Sequence, residues 1–97
     1  MSDWKFLEPP NMAVITDKRI LSGEEWIAFV SHDDEDGAWQ FHILNGSRTL
    51  SETDGAVVSL REIIELDRSV EQLADLPLGW HARRGEPDAP WKRSKTI

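Results

Sequence analysis

"WIAFVSHDDEDGAWQFHIL", residues Trp26 to Leu44, sets two apolar runs on either side of an acidic stretch that contains one glycine. Asp36-Gly37 between alternating apolar segments is a strong hairpin signal. In the second run Trp39, Phe41 and Ile43 share one face, while Gln40 and His42 point the other way. With Asp33 to Gly37 as the loop, His32 stands opposite Ala38, and Ala28 opposite His42. Ile27 and Phe29 then join Trp39, Phe41 and Ile43 on one apolar face. The other face receives Trp26, Val30, His42 and Leu44.

Working outward from the hairpin, "NMAVIT" (residues 11–16) reads as a β-branched strand, and "DKRIL" (17–21) fits a short strand or a helical turn. "NGSRTLSETDG" (45–55) is a polar loop with turn signals at both ends. A short strand at Val57 and Val58 leads into a change of period. Ser59 and Glu62 form a capping box, and Leu60, Ile63 and Ile64 form the apolar stripe of a short helix. Ser69 and Gln72 suggest a second box, with Val70, Leu73 and Ala74 as the stripe and Pro77 as the stop. Neither helix is long enough to be stable alone, so both must lean on a sheet. "GWHARR" (79–84) reads as a strand, and "WKRSK" (91–95) as a last strand or tail. Pro9 and Pro10 make residues 1–11 an arm, with Trp4 and Phe6 as its anchors. The expected fold is α+β: an arm at 1–11, then a single domain over 12–97. That domain is a small, mainly antiparallel sheet with two short helices packed on one face.

The 97 residues set the scale at one thin core. A hydrophobic share of 39% supplies that core, and 30% charged residues point to a soluble globule. No apolar run approaches the roughly 20 residues that cross a bilayer. The opening "MSDWKFLEPPN" lacks the basic and apolar regions of a signal peptide. Absence of cysteine removes disulfides, thiolate metal sites and a cysteine nucleophile, and a reducing cytoplasm is the simplest expected location. The net charge of −7 is unevenly spread. Residues 79–97 carry Arg83, Arg84, Lys92, Arg93 and Lys95 against Glu86 and Asp88, a local +3, which leaves −10 on the rest. Such a body repels nucleic acid and attracts a basic partner.

Several chemistries fail on spacing. Aligning Gly37 with the glycine of an EF-hand loop places Asp34 and Asp36 correctly, but His32 falls first and Ile43 last, where oxygen ligands belong. In the register above, His32 and His42 are displaced by four residues, about 13 Å at roughly 3.3 Å per residue, too far for one ion. "NGSRT" offers Ser47 without the nucleophile elbow of a serine hydrolase. No glycine-rich phosphate loop is present, and no pair of carboxylates stands out. No catalytic residue, cofactor or metal is therefore expected. The five tryptophans, Trp4, Trp26, Trp39, Trp80 and Trp91, are core fillers on the simplest reading. That reading is strongest for Trp39 and Trp80. Trp91, amid Lys92, Arg93 and Lys95, has the setting to stack on a base or on an arginine. Two short helices can cover the face that carries Trp26 or the opposite one, not both, which leaves one face partly apolar and exposed, a sign of a binding surface.

"AVITDKRIL", "DDEDGAWQF" and "LPLGWHARR" together resemble short bacterial proteins carrying a domain of unknown function. They are also similar to an immunity-protein family of bacterial toxin systems. The matching positions are Thr16-Asp17-Lys18, Asp36 to Phe41, and Trp80 to Arg84. Ala38 between Gly37 and Trp39 departs from that pattern, and the arm "WKFLEPPN" has no counterpart in it. The resemblance implies a small α+β fold without catalysis and offers no catalytic residues. Combined with the charge distribution, it implies a binding module, of the kind that masks a basic toxin. Asp33, Asp34, Glu35, Asp36, Trp26 and His42 would form its contact surface. The alternative is a small-ligand pocket between sheet and helices, lined by Trp26, Trp80 and His81.

Overall fold

The computed structural model describes residues 4–46 and 49–96. Ser47, weighed above as a nucleophile, lies outside the described residues. The strands are β1 (Ala13–Asp17), β2 (Phe29–His32), β3 (Trp39–His42), β4 (Gly55–Ser59), β5 (Trp80–Arg83) and β6 (Lys92–Lys95). They form a six-stranded sheet in the order β4-β1-β3-β2-β5-β6. All neighbouring strands run antiparallel except β1 and β3, which are parallel, so the sheet is mixed. Helix α1 (Lys18–Leu21), helix α2 (Leu60–Leu66) and a 3-10 helix (Arg68–Leu73) complete the α+β domain.

The hairpin of β2 and β3 forms, but its register differs from the expected one. His32 pairs with Trp39, and Phe29 with His42. Asp33 and Ala38 close the loop through an Asp33 N–H to Ala38 carbonyl bond of 2.8 Å. Inside it the Gly37 N–H donates to the Asp33 carbonyl, Gly37 takes φ +73°, and the Asp36 carboxylate accepts the Ala38 N–H. The turn therefore includes Ala38, one residue more than Asp33 to Gly37. A one-residue slip moves every side chain of a strand to the other face. Val30 and His32 consequently turn inward with Trp39 and Phe41, while Phe29 turns outward with His42.

The inner face carries Val14 and Thr16 of β1, Val30 of β2, Trp39 and Phe41 of β3, and Ala82 of β5, all buried. Against them pack Leu60, Ile63 and Ile64 of α2, Val70 and Leu73 of the 3-10 helix, and Phe6 of the arm, in one continuous cluster. Ser59 caps α2 as expected: its hydroxyl accepts the Glu62 N–H at 3.2 Å. The second cap is corrected. Asp67, not Ser69, precedes the helix and accepts the Ser69 N–H at 3.0 Å. Asp17 caps α1 by accepting the Arg19 N–H, which resolves "DKRIL" into a strand end followed by a helical turn.

The open sheet face and its acidic end

With the helices on the inner face, the outer face of the sheet is partly open: Val57 and Arg83 are exposed, Ile15, Phe29, Ser31, Gln40 and His81 are half-buried, and His42 is buried. It presents Ile15 of β1, Val57 of β4, Gln40 and His42 of β3, Phe29 and Ser31 of β2, and His81 and Arg83 of β5, following the pairing register. Phe29 sits at the centre. The His81 ring stacks on it with centroids 5.0 Å apart and planes at 19°, and His42 meets it edge-on at 5.8 Å. The His81 ring is steadied by Thr96, whose hydroxyl lies 2.8 Å from Nδ1.

One end of this face is a concavity of about 550 Å³ lined by Phe29, Gln40, His42 and the loop residues Asp33 to Asp36. Among the described residues, no lysine or arginine lines it. The four carboxylates differ in role. Asp33 accepts from the Gln40 side-chain amide at 2.8 Å and Asp36 accepts the Ala38 N–H at 3.0 Å, so both hold the loop in shape. Asp34 and Glu35, at the tip, are exposed. Gly79 ties β5 to the start of the loop: its N–H donates to the His32 carbonyl, and it takes φ +79°. A Cβ there would meet Asp34 at an ordinary 3.6 Å, so the left-handed backbone, rather than space, favours glycine. The other end of the face is a concavity of about 720 Å³ lined in part by Ile43, Leu44, Arg83, Lys92 and one carboxylate, Glu86, and Phe29 borders both. The face is thus polarised, acidic at the β2–β3 loop and basic near Arg83 and Lys92.

Of the expected contact residues, Asp33, Asp34, Glu35, Asp36 and His42 line the acidic concavity together. Trp26 does not join them; it lies before β2, with the Arg84 guanidinium 5.9 Å from its ring centroid. The expected pocket of Trp26, Trp80 and His81 does not assemble. Trp80 and His81 are neighbours on β5, so the pleat sends Trp80 toward the core and His81 to the outer face. The space between sheet and helices is filled by fully buried side chains such as Trp39, Phe41, Leu60 and Leu73. His32 and His42 lie three residues apart in the observed register, on opposite faces of the sheet. Among the described residues no group of three or more His, Asp or Glu side chains is placed to hold a metal ion.

Two polar clusters escaped the sequence reading. Buried Arg84 donates from Nε to the Ile27 carbonyl at 2.9 Å, from Nη1 to the Ser69 hydroxyl at 2.8 Å, and from Nη2 to the Asp67 carboxylate. The Trp91 ring lies 4.1 Å from its guanidinium carbon, so Trp91 is an arginine stack within the fold. The signal was present: Trp80, Ala82 and Arg84 alternate, and Ala82 marks the buried side. The second cluster joins the arm to β2 and β3. Glu8 accepts from the Trp39 indole N–H at 3.0 Å and stands 3.3 Å from His32 Nε2, while His32 Nδ1 lies 2.7 Å from the Leu76 carbonyl. Comparison with family models, with curated proteins and with solved structures found no match to this chain.

Proposed function

We propose that the protein is a non-enzymatic binding module of the immunity type, which masks a basic protein partner at the acidic end of its open sheet face. The observation that carries this reading is the 550 Å³ concavity, where Asp33 to Asp36 converge with Gln40, His42 and Phe29 and, among the described residues, no lysine or arginine joins them. A lysine or arginine of the partner would meet Asp34 and Glu35 at the rim, and its aliphatic stem would rest on Phe29. The positive end at Arg83 and Lys92 would repel a uniformly basic segment, so the partner's charge must itself be graded along the face. Acidic surfaces of this kind accelerate encounter by electrostatic steering, which salt weakens.

The test is retention of a partner from cell lysate by wild type and by Asp34→Lys/Glu35→Lys, at low and moderate salt, identified by mass spectrometry. These two tip residues are chosen because Asp33 and Asp36 maintain the loop. A basic protein held by wild type, weakened by salt and lost by the variant is the expected result. Retention that is indifferent to both charge reversal and salt would remove the acidic concavity from the interface.

A further inference from the structure

The two edges of the sheet are built differently. β6 is Lys-Arg-Ser-Lys, a charged edge of the kind that discourages pairing with another chain. β4 is Gly-Ala-Val-Val-Ser, with no charged residue and no proline. The β1–β4 ladder fixes which of its backbone groups are free to pair outward. The Lys18 N–H donates to the Asp54 carbonyl and the Leu60 N–H to the Met12 carbonyl, at the two ends of one register. Antiparallel pairs alternate between bonded and non-bonded. Ala56 and Val58 are therefore bonded to β1, whereas Gly55, Val57 and Ser59 turn their backbone groups away from it. The Gly55 N–H is already held by the Ser51 carbonyl at 2.8 Å. The Gly55 carbonyl, both Val57 groups and the Ser59 N–H remain along the edge.

We propose that this edge pairs antiparallel with β4 of a second copy of the chain, about a twofold axis at Val57. The pattern is self-complementary. Val57 N–H meets the Val57 carbonyl of the other copy, and Ser59 N–H meets the Gly55 carbonyl, each reciprocated by the symmetry. Val57, 71% exposed on the outer face, then packs against its own counterpart. With Ile15, its partner across β1, it forms one apolar strip spanning both copies. The pairing ends at Ser59, where the chain turns into α2 on the inner face. An edge contact this short is a weak interface, and the net −7 of each copy opposes it at low ionic strength.

The experiment is sedimentation over a concentration series, about 10 μM to about 1 mM, in about 0.15 M salt, where weak dimers become populated. It is paired with amide exchange resolved at Val57 and Ser59. The expected result is a monomer–dimer equilibrium in which protection of these two amides rises with concentration while that of β1 and β3 stays constant. Val57→Lys places two ammonium groups across the axis and should leave a monomer with core protection unchanged; Val57→Thr, which keeps the backbone and β-branching, should retain the dimer. A chain that is monomeric throughout, or a dimer with Val57 and Ser59 amides indifferent to concentration, overturns the proposal. The wild-type exchange measurement decides it even where a variant fails to fold.

Discussion

Arg84 shows how one buried side chain holds several segments together. Its three guanidinium nitrogens reach the chain ahead of β2, the 3-10 helix and that helix's capping aspartate. Trp91, stacked on it, also donates to the Ser69 hydroxyl at 3.2 Å. Replacement by a neutral chain of similar length leaves the Asp67 carboxylate without its cation and the Ile27 carbonyl without its donor. Arg84→Met is therefore expected to cost about 3 kcal/mol, read as a lowered urea midpoint. Arg84→Lys should recover little, because an ammonium cannot reproduce a planar fork. At Asp17 the consequence is a pH dependence. The Arg19 guanidinium bonded to both carboxylate oxygens holds the Asp17 carboxyl below its ordinary value, against the opposing effect of burial. A carboxyl depressed in the folded state stabilises it above the unfolded value, about 3.9, and that contribution is lost as pH falls through the lower folded value. Urea unfolding of wild type should show this acid loss, and Asp17→Asn should flatten that part of the profile while lowering stability at neutral pH.

Among the elements, the short helices depend most on their ends. α2 has seven residues, too few to persist alone, and is kept by its buried stripe and its cap. Ser59→Ala removes the acceptor for the Glu62 N–H and is expected to cost about 1 kcal/mol. Faster amide exchange concentrated in the first turn of α2 would identify the cap as the cause. The 3-10 helix differs because Asp67 serves two elements at once, capping Ser69 and pairing with Arg84 beyond β5. The hairpin illustrates the opposite sensitivity. Its strands are only four residues each, so a change of one residue in the loop changes which residues face the core. Including Ala38 in the turn exchanges Phe29 for Val30.

At the scale of the molecule, the sheet has one covered face, one open face and two unlike edges. The arm contributes to the covered face. Phe6 is buried with its ring 5.3 Å from that of Trp39, nearly perpendicular, and Glu8 bonds the Trp39 indole. Phe6→Ala should therefore cost about 3 kcal/mol or more, the range for a buried aromatic, and a thermal or urea melt measures it. A change below 1 kcal/mol would mean that the arm docks without sharing the core. The open face gathers the acidic loop, the Phe29–His81 stack and the basic end near Arg83. Among the described residues, no helix is long and apolar enough to cross a membrane.

Local pattern determined much of this protein without help from the fold. The alternation around Trp39, the Ser59–Glu62 cap, the stripe of Leu60, Ile63 and Ile64, and the α+β order of elements are all legible in the chain. Each depends on neighbours within a few residues. The acidic stretch also announced itself as a loop between strands. Tertiary structure decided what depends on partners distant in sequence. The parallel insertion of β1 beside β3 has no local signature, since periodicity reports which face a side chain takes and not which strand lies alongside. The burial of Arg84 required Asp67 and Ile27, seventeen and fifty-seven residues away, to compensate its charge. The outward position of Phe29 followed from a loop one residue longer than the turn signal suggested. A β-strand's two faces are equivalent until a register is chosen, and only packing of the whole sheet chooses it.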